Sequence, residues 1–577
     1  MENHQIAAIF EEIANMMKIL QEDAKWQFKA AAYDRAKRSI ESYSERLEDV
    51  ARDPNRKLTE IPGVGADFAK KIEELIKTGQ CQYHQEQLKR IPRSMLEILQ
   101  LQGVGPQKVR IFHDQLKIET IEDLAAAAKA GRLRGLAGMS EKSEQNILKA
   151  VENYQRSSGR FRLDIAHESA DELEAHILEV KGVERVTPAG SLRRGRETVG
   201  DLDLLITGGE PSRIAEHFIK FPRIVQVLAR GADKVSVKLL NQMQVDIRML
   251  APECFGAALM YFTGSKEHNV ALRARAKRRG WTLSEYGLFE GDKAIAGRTE
   301  EEIYTRLGMP WIPPEIRENW GEIELAEGGR VPQLVELSDV KGDLQMHTTA
   351  SDGRASVEEM AGAAKQLGYK YILITDHSKA VTIANGLDDK RALGNIQCIK
   401  AARKKVKGIE IWAGAEVDVL AGGKLDYPDE VLKQFDVVVA SVHSRMTQPG
   451  EEMTERLIKA LENPYVRILG HPTGRYILRR EPFNFDLERV FNAAQKAGVI
   501  MEVNANPERL DLCDRHVKLA HDKGMKVVIS TDAHRPDHFR FMRYGVLTAR
   551  RGWMEKKDVI NTYPPEKLLA SLRPLPK

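Results

Sequence analysis

At 577 residues the chain exceeds what one hydrophobic core supports, so several domains are expected. Its 88 basic against 84 acidic residues leave a net charge of +4, which confines any nucleic-acid affinity to local patches. Cys81, Cys254, Cys398 and Cys513 stand far apart, which excludes a disulfide framework and a zinc–thiolate site, and a cytoplasmic protein is expected.

The N-terminus carries Glu2, Glu11, Glu12 and Lys18 among apolar residues, which reads as an amphipathic helix rather than a signal peptide. No apolar run of about 20 residues occurs, so no membrane span is expected. The first 150 residues are helical in pattern and broken by repeating glycine turns. Ile61-Pro62-Gly63-Val64-Gly65 and Leu101-Gln102-Gly103-Val104-Gly105 each precede an amphipathic helix and read as helix-hairpin-helix units, with a degraded third copy at Gly135-Leu136-Ala137-Gly138-Met139. Gly63, Gly65, Gly103 and Gly105 let backbone amides approach a phosphate at a helix N-terminus, a grip on DNA that does not read sequence.

Next comes Gly190-Ser191-Leu192-Arg193-Arg194-Gly195, followed by Gly200-Asp201-Leu202-Asp203-Leu204-Leu205-Ile206. Asp201 and Asp203 lie two apart on an apolar strand, so both carboxylates leave the same face. Val245-Asp246-Ile247 sets a third acid between apolar neighbours, where a lone carboxylate is costly unless a partner compensates it. Three such acids on adjacent strands suit two Mg²⁺ (or Mn²⁺) ions, the two-metal route to nucleotidyl transfer. Gly190 and Ser191 offer close backbone approach and N–H donors to triphosphate oxygens, with Arg194 as a cationic clamp.

These residues resemble the nucleotidyltransferase superfamily. The stretch Tyr261-Phe262-Thr263-Gly264-Ser265-Lys266-Glu267-His268-Asn269-Val270-Ala271-Leu272-Arg273 narrows the resemblance to the thumb motif of family X DNA polymerases, the group of DNA polymerase beta. The resemblance implies that Tyr261, Phe262 and Gly264 flank the sugar of the incoming nucleotide, Asn269 bonds its minor-groove edge, and Arg273 reaches the template. Arg273, Arg275, Lys277, Arg278 and Arg279 read as a basic helix suited to phosphates. Val270 stands where the vertebrate enzyme has a template-stacking lysine. In the N-terminal region Lys71 falls at the position of the Schiff-base lysine that cleaves abasic sugars, and Lys29 and Tyr33 match phosphate-binding positions. Asp67 replaces a phosphate-binding lysine, a charge reversal that opposes lyase activity.

After Pro310-Trp311-Ile312-Pro313-Pro314 an acidic, glycine-containing stretch through Gly328-Gly329 reads as a linker. Seven β/α units follow, with strands expected at 344–347, 371–375, 409–416, 437–443, 466–471, 499–504 and 527–531, a pattern for a closed parallel barrel. His347, Asp352, Asp376-His377, Glu416, His443, His471, Asp532 and His534 fall at or just past strand C-termini, where barrel enzymes gather their sites. Five histidines at five strand ends point to a polynuclear site for Zn²⁺ or Mn²⁺.

The motifs Gly342-Asp343-Leu344-Gln345-Met346-His347, Thr375-Asp376-His377 and Ser530-Thr531-Asp532-Ala533-His534 are similar to the polymerase and histidinol phosphatase (PHP) domain. That resemblance implies up to three metals: one on the first motif with Glu416 and Asp532, one on Glu416, His443 and His471, and one on Asp352, His377 and His534. Gln345 stands where many members have a histidine. The full chain resembles the bacterial and archaeal family X polymerases with a C-terminal PHP domain. It is expected to comprise a helical N-terminal domain (1–90), fingers with a second helix-hairpin-helix (91–155), an α+β palm (156–250), a thumb (251–315), a linker (316–335) and a (β/α)7 PHP barrel (336–577). The implied function is short-gap DNA synthesis in base excision repair on gapped or nicked duplex with dNTPs, joined to 3′–5′ exonuclease and abasic-site endonuclease activity, in a monomer. The competing readings are a DNA-binding nuclease with an idle polymerase, and a small-molecule phosphatase fused to a DNA-binding module.

Overall fold

The computed structural model describes the chain apart from Glu2, Glu22, Asp23, Ser42, Ser44, Glu45, Arg46, Gln102, Ser158, Arg573, Leu575, Pro576 and Lys577, so Glu2 and Gln102 of the motifs above lie outside the described residues. It divides into two compact units, Met1–Ser158 with Leu478–Arg480, and Gly159–Ile477 with Glu481–Lys577.

The first unit is helical, with one core that runs from Ile6 and Phe10 to Ile147 and Val151. Each glycine turn is built as the sequence suggests. Gly63 and Gly103 both sit at φ +79°, a left-handed conformation that other residues adopt only with strain. The helices Ala66–Thr78 and Pro106–Leu116 follow, and at neither start does an N-cap side chain bond the first turn.

The second unit begins with a five-stranded sheet in the order Val183–Pro188, Asp201–Gly208, Gln244–Leu250, Lys234–Leu239, Ile224–Arg230. Only Asp201–Gly208 and Gln244–Leu250 run parallel, and their register sets Asp203 opposite Asp246. Helices Leu163–Leu178 and Pro211–Phe218 bury Leu173, Ile177, Ile214 and Phe218 against the sheet residues Leu204, Ile206, Val235 and Ile247. The thumb follows as helices Phe255–Thr263 and Lys266–Arg278 and a three-stranded sheet.

Residues 316–335, read from sequence as a linker, are packed. Ile316, Ile323, Ala326 and Leu334 join the thumb core, and helix Glu322–Glu327 spans the middle of the stretch. Arg317 is fully buried and pairs through two nitrogens with Glu300 at 2.7 and 3.0 Å, while Arg193 binds the same carboxylate at 2.8 Å through both of its terminal nitrogens. Burial alone would raise the Glu300 pKa, but Arg317 and Arg193 overcome it and hold the carboxyl well below its usual range. A depressed carboxylate contributes stability that is complete above its unfolded value and lost as pH falls through the folded one. Acid unfolding of this unit should therefore set in below about pH 4.5 and lose this component in Glu300→Gln. At neutral pH the same substitution strands two guanidiniums and should cost about 3–5 kcal/mol, read from denaturant melts.

The C-terminal half is a seven-stranded parallel sheet in sequential order. Its strands are Gly342–Asp343, Tyr371–Ile374, Glu410–Asp418, Val437–Ser441, Val466–Leu469, Ile500–Asn504 and Val527–Ser530. The sheet nearly closes on itself, because a parallel bridge joins Met346 to Ala533 and Asp343 accepts bonds from the Thr531 amide at 3.1 Å and from its hydroxyl. The core pattern is near-continuous Val, Ile, Leu and Ala, as expected for strands covered on both faces. The first strand, Gly342–Asp343, ends just before the expected 344–347. Past Asp343 the Met346 amide is taken by Thr375 Oγ1 at 3.0 Å and the His347 amide by the Ala533 carbonyl at 2.8 Å, which turns the chain into the barrel mouth.

Candidate active sites

In the five-stranded sheet, Asp201 opens its strand and is exposed, Asp203 is half-buried, and Asp246 is buried. Burial, then the neighbouring Asp201 and Asp246 carboxylates, push the Asp203 pKa up to about 6. This crowding of negative charge is what a divalent cation would relieve. Asp246 is drawn aside: Lys234 Nζ lies 2.7 Å from its Oδ2, and Gln244 donates to Oδ1 at 3.2 Å. The three carboxylates accordingly are not among the clusters of described residues whose donor atoms all lie within 4.8 Å.

The Gly190–Arg193 turn lies directly against Asp203. Gly190 sits at φ +60°, and a Cβ there would stand 3.0 Å from Asp203 Oδ2, so both backbone and space require glycine. The Ala189 amide bonds the Asp203 carbonyl at 2.8 Å, tying turn to strand. Arg194 is already engaged, donating from Nε to Glu318 at 3.0 Å and from a terminal nitrogen to the Thr263 carbonyl. Its guanidinium thus bridges the turn and the elbow before Gly264, a position sequence alone did not indicate.

On the thumb, Tyr261 and Phe262 meet edge to face at 5.2 Å, and Arg248 covers Phe262 at 4.2 Å. Asn269 donates to the Tyr261 carbonyl at 2.7 Å while its buried Oδ1 has no partner. Arg273, Lys277, Arg278 and Arg279 are exposed. Arg275, grouped with them on sequence, instead turns inward to the Leu307 carbonyl at 2.9 Å and pairs with Glu327. Val270 is exposed.

In the N-terminal unit Lys29 is exposed, but Tyr33 is only 5% exposed. Its ring packs on Phe68 at 4.6 Å and Phe10 at 5.4 Å, and burial raises its pKa, so it is a core aromatic and not the surface phosphate contact expected from sequence. Lys71 lies 2.5 Å from Asp67 and 5.3 Å from the Tyr83 ring centre, in a shallow groove that Glu74 and Glu86 also line.

The barrel gathers its polar residues at the strand C-termini. Glu416 sits at the hub. Its Oε1 lies 2.7 Å from His471 Nε2 and 3.3 Å from His443 Nε2, and its Oε2 lies 3.1 Å from His377 Nδ1 and 3.5 Å from His347 Nε2. His377 Nδ1 is out of line for a hydrogen bond despite that distance. Asp532 meets His347 Nε2 at 3.0 Å, and Asp352 is 3.4 Å from His534 Nε2 and 3.7 Å from His377 Nε2. Burial raises carboxylate pKa values, but the imidazoles dominate and hold Glu416 and Asp532 well below the usual range. Two groups bring their donor atoms within 4.8 Å of one another: His347, Asp352, His377 and His534, and His377, Glu416 and His443.

Further contacts hold these side chains in place, one of them from a residue not singled out by sequence. Asp418, two residues after Glu416 and fully buried, accepts from the His443 amide at 2.8 Å and stands 3.2 Å from His443 Nδ1, leaving Nε2 to face Glu416. The His534 Nδ1 donates to the Asp532 carbonyl at 2.8 Å, turning Nε2 toward Asp352. Asp376 accepts from the Thr348 amide and hydroxyl, both at 2.8 Å, from Ser351 and from Asn395. It therefore braces the loop before Asp352 and stands beside the site without entering either cluster. His471 and Asp532 carry positive φ of 26° and 54°, a backbone cost of the kind stored at functional sites. Gln345 is buried with neither amide atom partnered, and the Nδ1 atoms of His347 and His471 are likewise unpaired. Orphaned donors and acceptors at one barrel end, with this N/O donor set, fit divalent metals.

A third cluster, His176, Glu179 and His217, is a clasp. The two rings stack at 4.1 Å, and each Nε2 lies 3.0 Å from the other residue's carbonyl, so these atoms lock the two palm helices together. Among the described residues no helix is long and apolar enough to cross a membrane.

Family models match in the same order as these sites. A helix-hairpin-helix domain matches residues 1–81, a SAM-like helix-hairpin-helix tandem residues 95–153, the DNA polymerase beta thumb residues 258–318, and the PHP domain residues 343–506. "DNA polymerase/3'-5' exonuclease PolX" of Bacillus subtilis (strain 168) is 37% identical over 565 residues, 97% of each chain. "Probable phosphatase TTE1963" of Caldanaerobacter subterraneus subsp. tengcongensis is 33% identical over 203 residues, 33% of this chain and 75% of that protein. "Probable phosphatase Teth514_1060" of Thermoanaerobacter sp. (strain X514) is also 33% identical, over 33% of this chain and 78% of its own length.

Proposed function

Since the chain belongs to the PolX family of DNA polymerase/3′–5′ exonucleases, we propose that it fills short gaps in DNA at the palm and trims 3′ ends at the barrel, in base excision repair. The observation that carries this reading is the coexistence of Gly190 pressed on Asp203, itself in register with Asp246, and the Glu416 hub of four imidazoles on the same compact unit.

At the palm, Asp201, Asp203 and Asp246 would hold two Mg²⁺ or Mn²⁺ ions, whose charge favours the attacking hydroxyl and the triphosphate leaving group. The backbone amides of the Gly190-Ser191 turn face the triphosphate, and Arg194 adds positive charge behind it. Tyr261, Phe262 and Gly264 bound the sugar of the dNTP. The unpartnered Oδ1 of Asn269 is available to its base, and Arg273 is exposed to reach the template. Gly63, Gly65, Gly103 and Gly105 present helix-end amides to phosphates of gapped or nicked duplex, with Lys29 as a nearby cation. Tyr33 supports that surface from the core.

At the barrel, His347, Glu416 and Asp532 with Gln345, then Glu416, His443 and His471, then Asp352, His377 and His534 would hold up to three Zn²⁺ or Mn²⁺ ions. Such ions polarise a phosphodiester and lower the pKa of water. The neutral Gln345 carboxamide makes the first position the weakest. Asp418 and Asp376 keep the donor groups aimed, and the same end would serve abasic-site cleavage.

The phosphatase-named relatives favour a second reading for the barrel, a phosphomonoesterase. Comparing hydrolysis of a phosphomonoester with that of a 3′-tailed oligonucleotide separates the two. The decisive experiment measures metal content of the purified monomer beside activity on a gapped duplex with a blocked 3′ end: trimming followed by dNTP incorporation is expected, and neither step alone would suffice.

Lyase chemistry at Lys71 is expected to be weak, because Asp67 occupies the lysine and sets a negative charge where a 5′-phosphate would dock. Borohydride trapping on a 5′-deoxyribose phosphate substrate should give little adduct with the native chain. Asp67→Lys should raise the yield about tenfold, by exchanging repulsion for attraction at short range.

A further inference from the structure

A barrel side chain, Arg551, reaches the turn beside the polymerase carboxylates. Arg551, at the end of helix Met542–Arg551, is 1% exposed. Its Nε and one terminal nitrogen donate to Asp514 Oδ2 at 2.8 and 2.7 Å. Its other terminal nitrogen donates to the Arg194 carbonyl at 2.7 Å, to the Glu315 carbonyl at 3.3 Å, and lies 3.0 Å from Glu318 Oε1. Glu318 Oε1 is the atom that also receives Arg194 Nε. Arg551 therefore holds Arg194 twice, by its backbone directly and by its guanidinium through Glu318.

A second contact from the same helix closes on the same turn. Gly195 lies at φ +64°, and a Cβ there would stand 3.3 Å from Leu547 Cβ and Cδ2. Tyr544, one turn earlier, is buried in the palm core beside Leu510 and Ile477 of the barrel. Two ion pairs flank the contact: Arg475 with Glu197 and Arg162 with Glu508, each at 2.7 Å. Arg551 itself, buried in a fixed ion-pair geometry, transmits position because it has one favourable arrangement and costly alternatives.

We propose that Arg551 is a positioning residue for nucleotide binding: the hydrolase domain sets the Gly190–Arg194 turn, and with it the affinity of the polymerase for dNTP. This rests on the reading of that turn as the triphosphate site. Arg551 meets the turn only through the Arg194 carbonyl and Glu318 and stands outside the carboxylates that carry the chemistry, so its effect is expected in dNTP binding, in KM rather than kcat.

The test uses the full chain. Arg551→Met is expected to raise the KM for dNTP on a gapped duplex about tenfold, with kcat within about threefold and 3′ trimming within about twofold, and Arg551→Lys should recover part of the KM. Arg194→Ala serves as the reference. If Arg194→Ala leaves KM unchanged, the triphosphate reading of the turn fails. If Arg194→Ala raises KM and Arg551→Met does not, the coupling is overturned. Should Arg551→Met lose trimming as well, Leu547→Ala decides, since it removes packing on Gly195 without stranding a charge: a two- to threefold rise in KM supports the coupling and an unchanged KM overturns it.

Discussion

Replacing Asp203 by Asn should lower dNTP incorporation on a gapped duplex by roughly a thousandfold or more while 3′ trimming stays within about twofold. Asp203 is the palm carboxylate with the most at stake. It faces Asp246 across the parallel pair, feels both neighbouring carboxylates, and receives the turn at Gly190, where a Cβ would stand 3.0 Å from its Oδ2. The amide keeps size and hydrogen bonding but removes the negative charge that divalent cations need. Because Asn is nearly isosteric and relieves carboxylate crowding, the variant should melt no lower than the native chain. Steady-state incorporation and a melting curve on the same preparation check both halves. Retained synthesis in Asp203→Asn would refute the assignment of the palm site.

Much of this architecture was legible because its signals are local. Six of the seven barrel strands begin within one residue of their expected starts, since buried parallel strands read as short runs of Val, Ile, Leu and Ala flanked by amphipathic helices. The glycine turns were legible for the same reason: Gly63 and Gly103 need left-handed backbone that few other residues tolerate. Strand-end histidines and acids followed from the rule that parallel barrels collect function at one end.

What escaped was set by long-range packing. Tyr33 matches a phosphate-binding position of the family, and only the approach of Phe10 and Phe68 buries it. Residues 316–335 look like a linker by composition, yet Glu300 supplies the partner that lets Arg317 be buried. Arg275 belongs to a run of cations and is withdrawn from it by Glu327. Lys234, on the neighbouring antiparallel strand and outside every motif, gave no sign in the sequence of the ion pair it makes with Asp246 in this structure. Asp418 was within reach, because Glu416-Val417-Asp418 places two acids on one strand face just as Asp201 and Asp203 are placed. Arg551 was not, because its partners Arg194, Glu318 and Asp514 are scattered along the sequence, Arg194 as far as 357 positions away.

Replacing Glu416 by Gln should produce the opposite split from Asp203→Asn: 3′ trimming falls by roughly a thousandfold or more while dNTP incorporation stays within about twofold. Glu416 is fully buried and stands between His347, His377, His443 and His471, so both of its oxygens are shared among the groups that would hold two of the metals. Neutralising it removes the single negative charge common to those positions and leaves imidazoles, whose like charges repel at low pH. Metal content, measured without reference to activity, should fall by about two ions per chain if Glu416 bridges two positions as its contacts suggest. A drop of one ion would assign Glu416 to a single position, and His443→Ala would then identify which, because His443 meets Glu416 through Oε1 and His347 through Oε2. Full metal retention together with lost trimming would give Glu416 a role in substrate chemistry instead of ligation, and retained trimming would remove the barrel end from the reaction altogether.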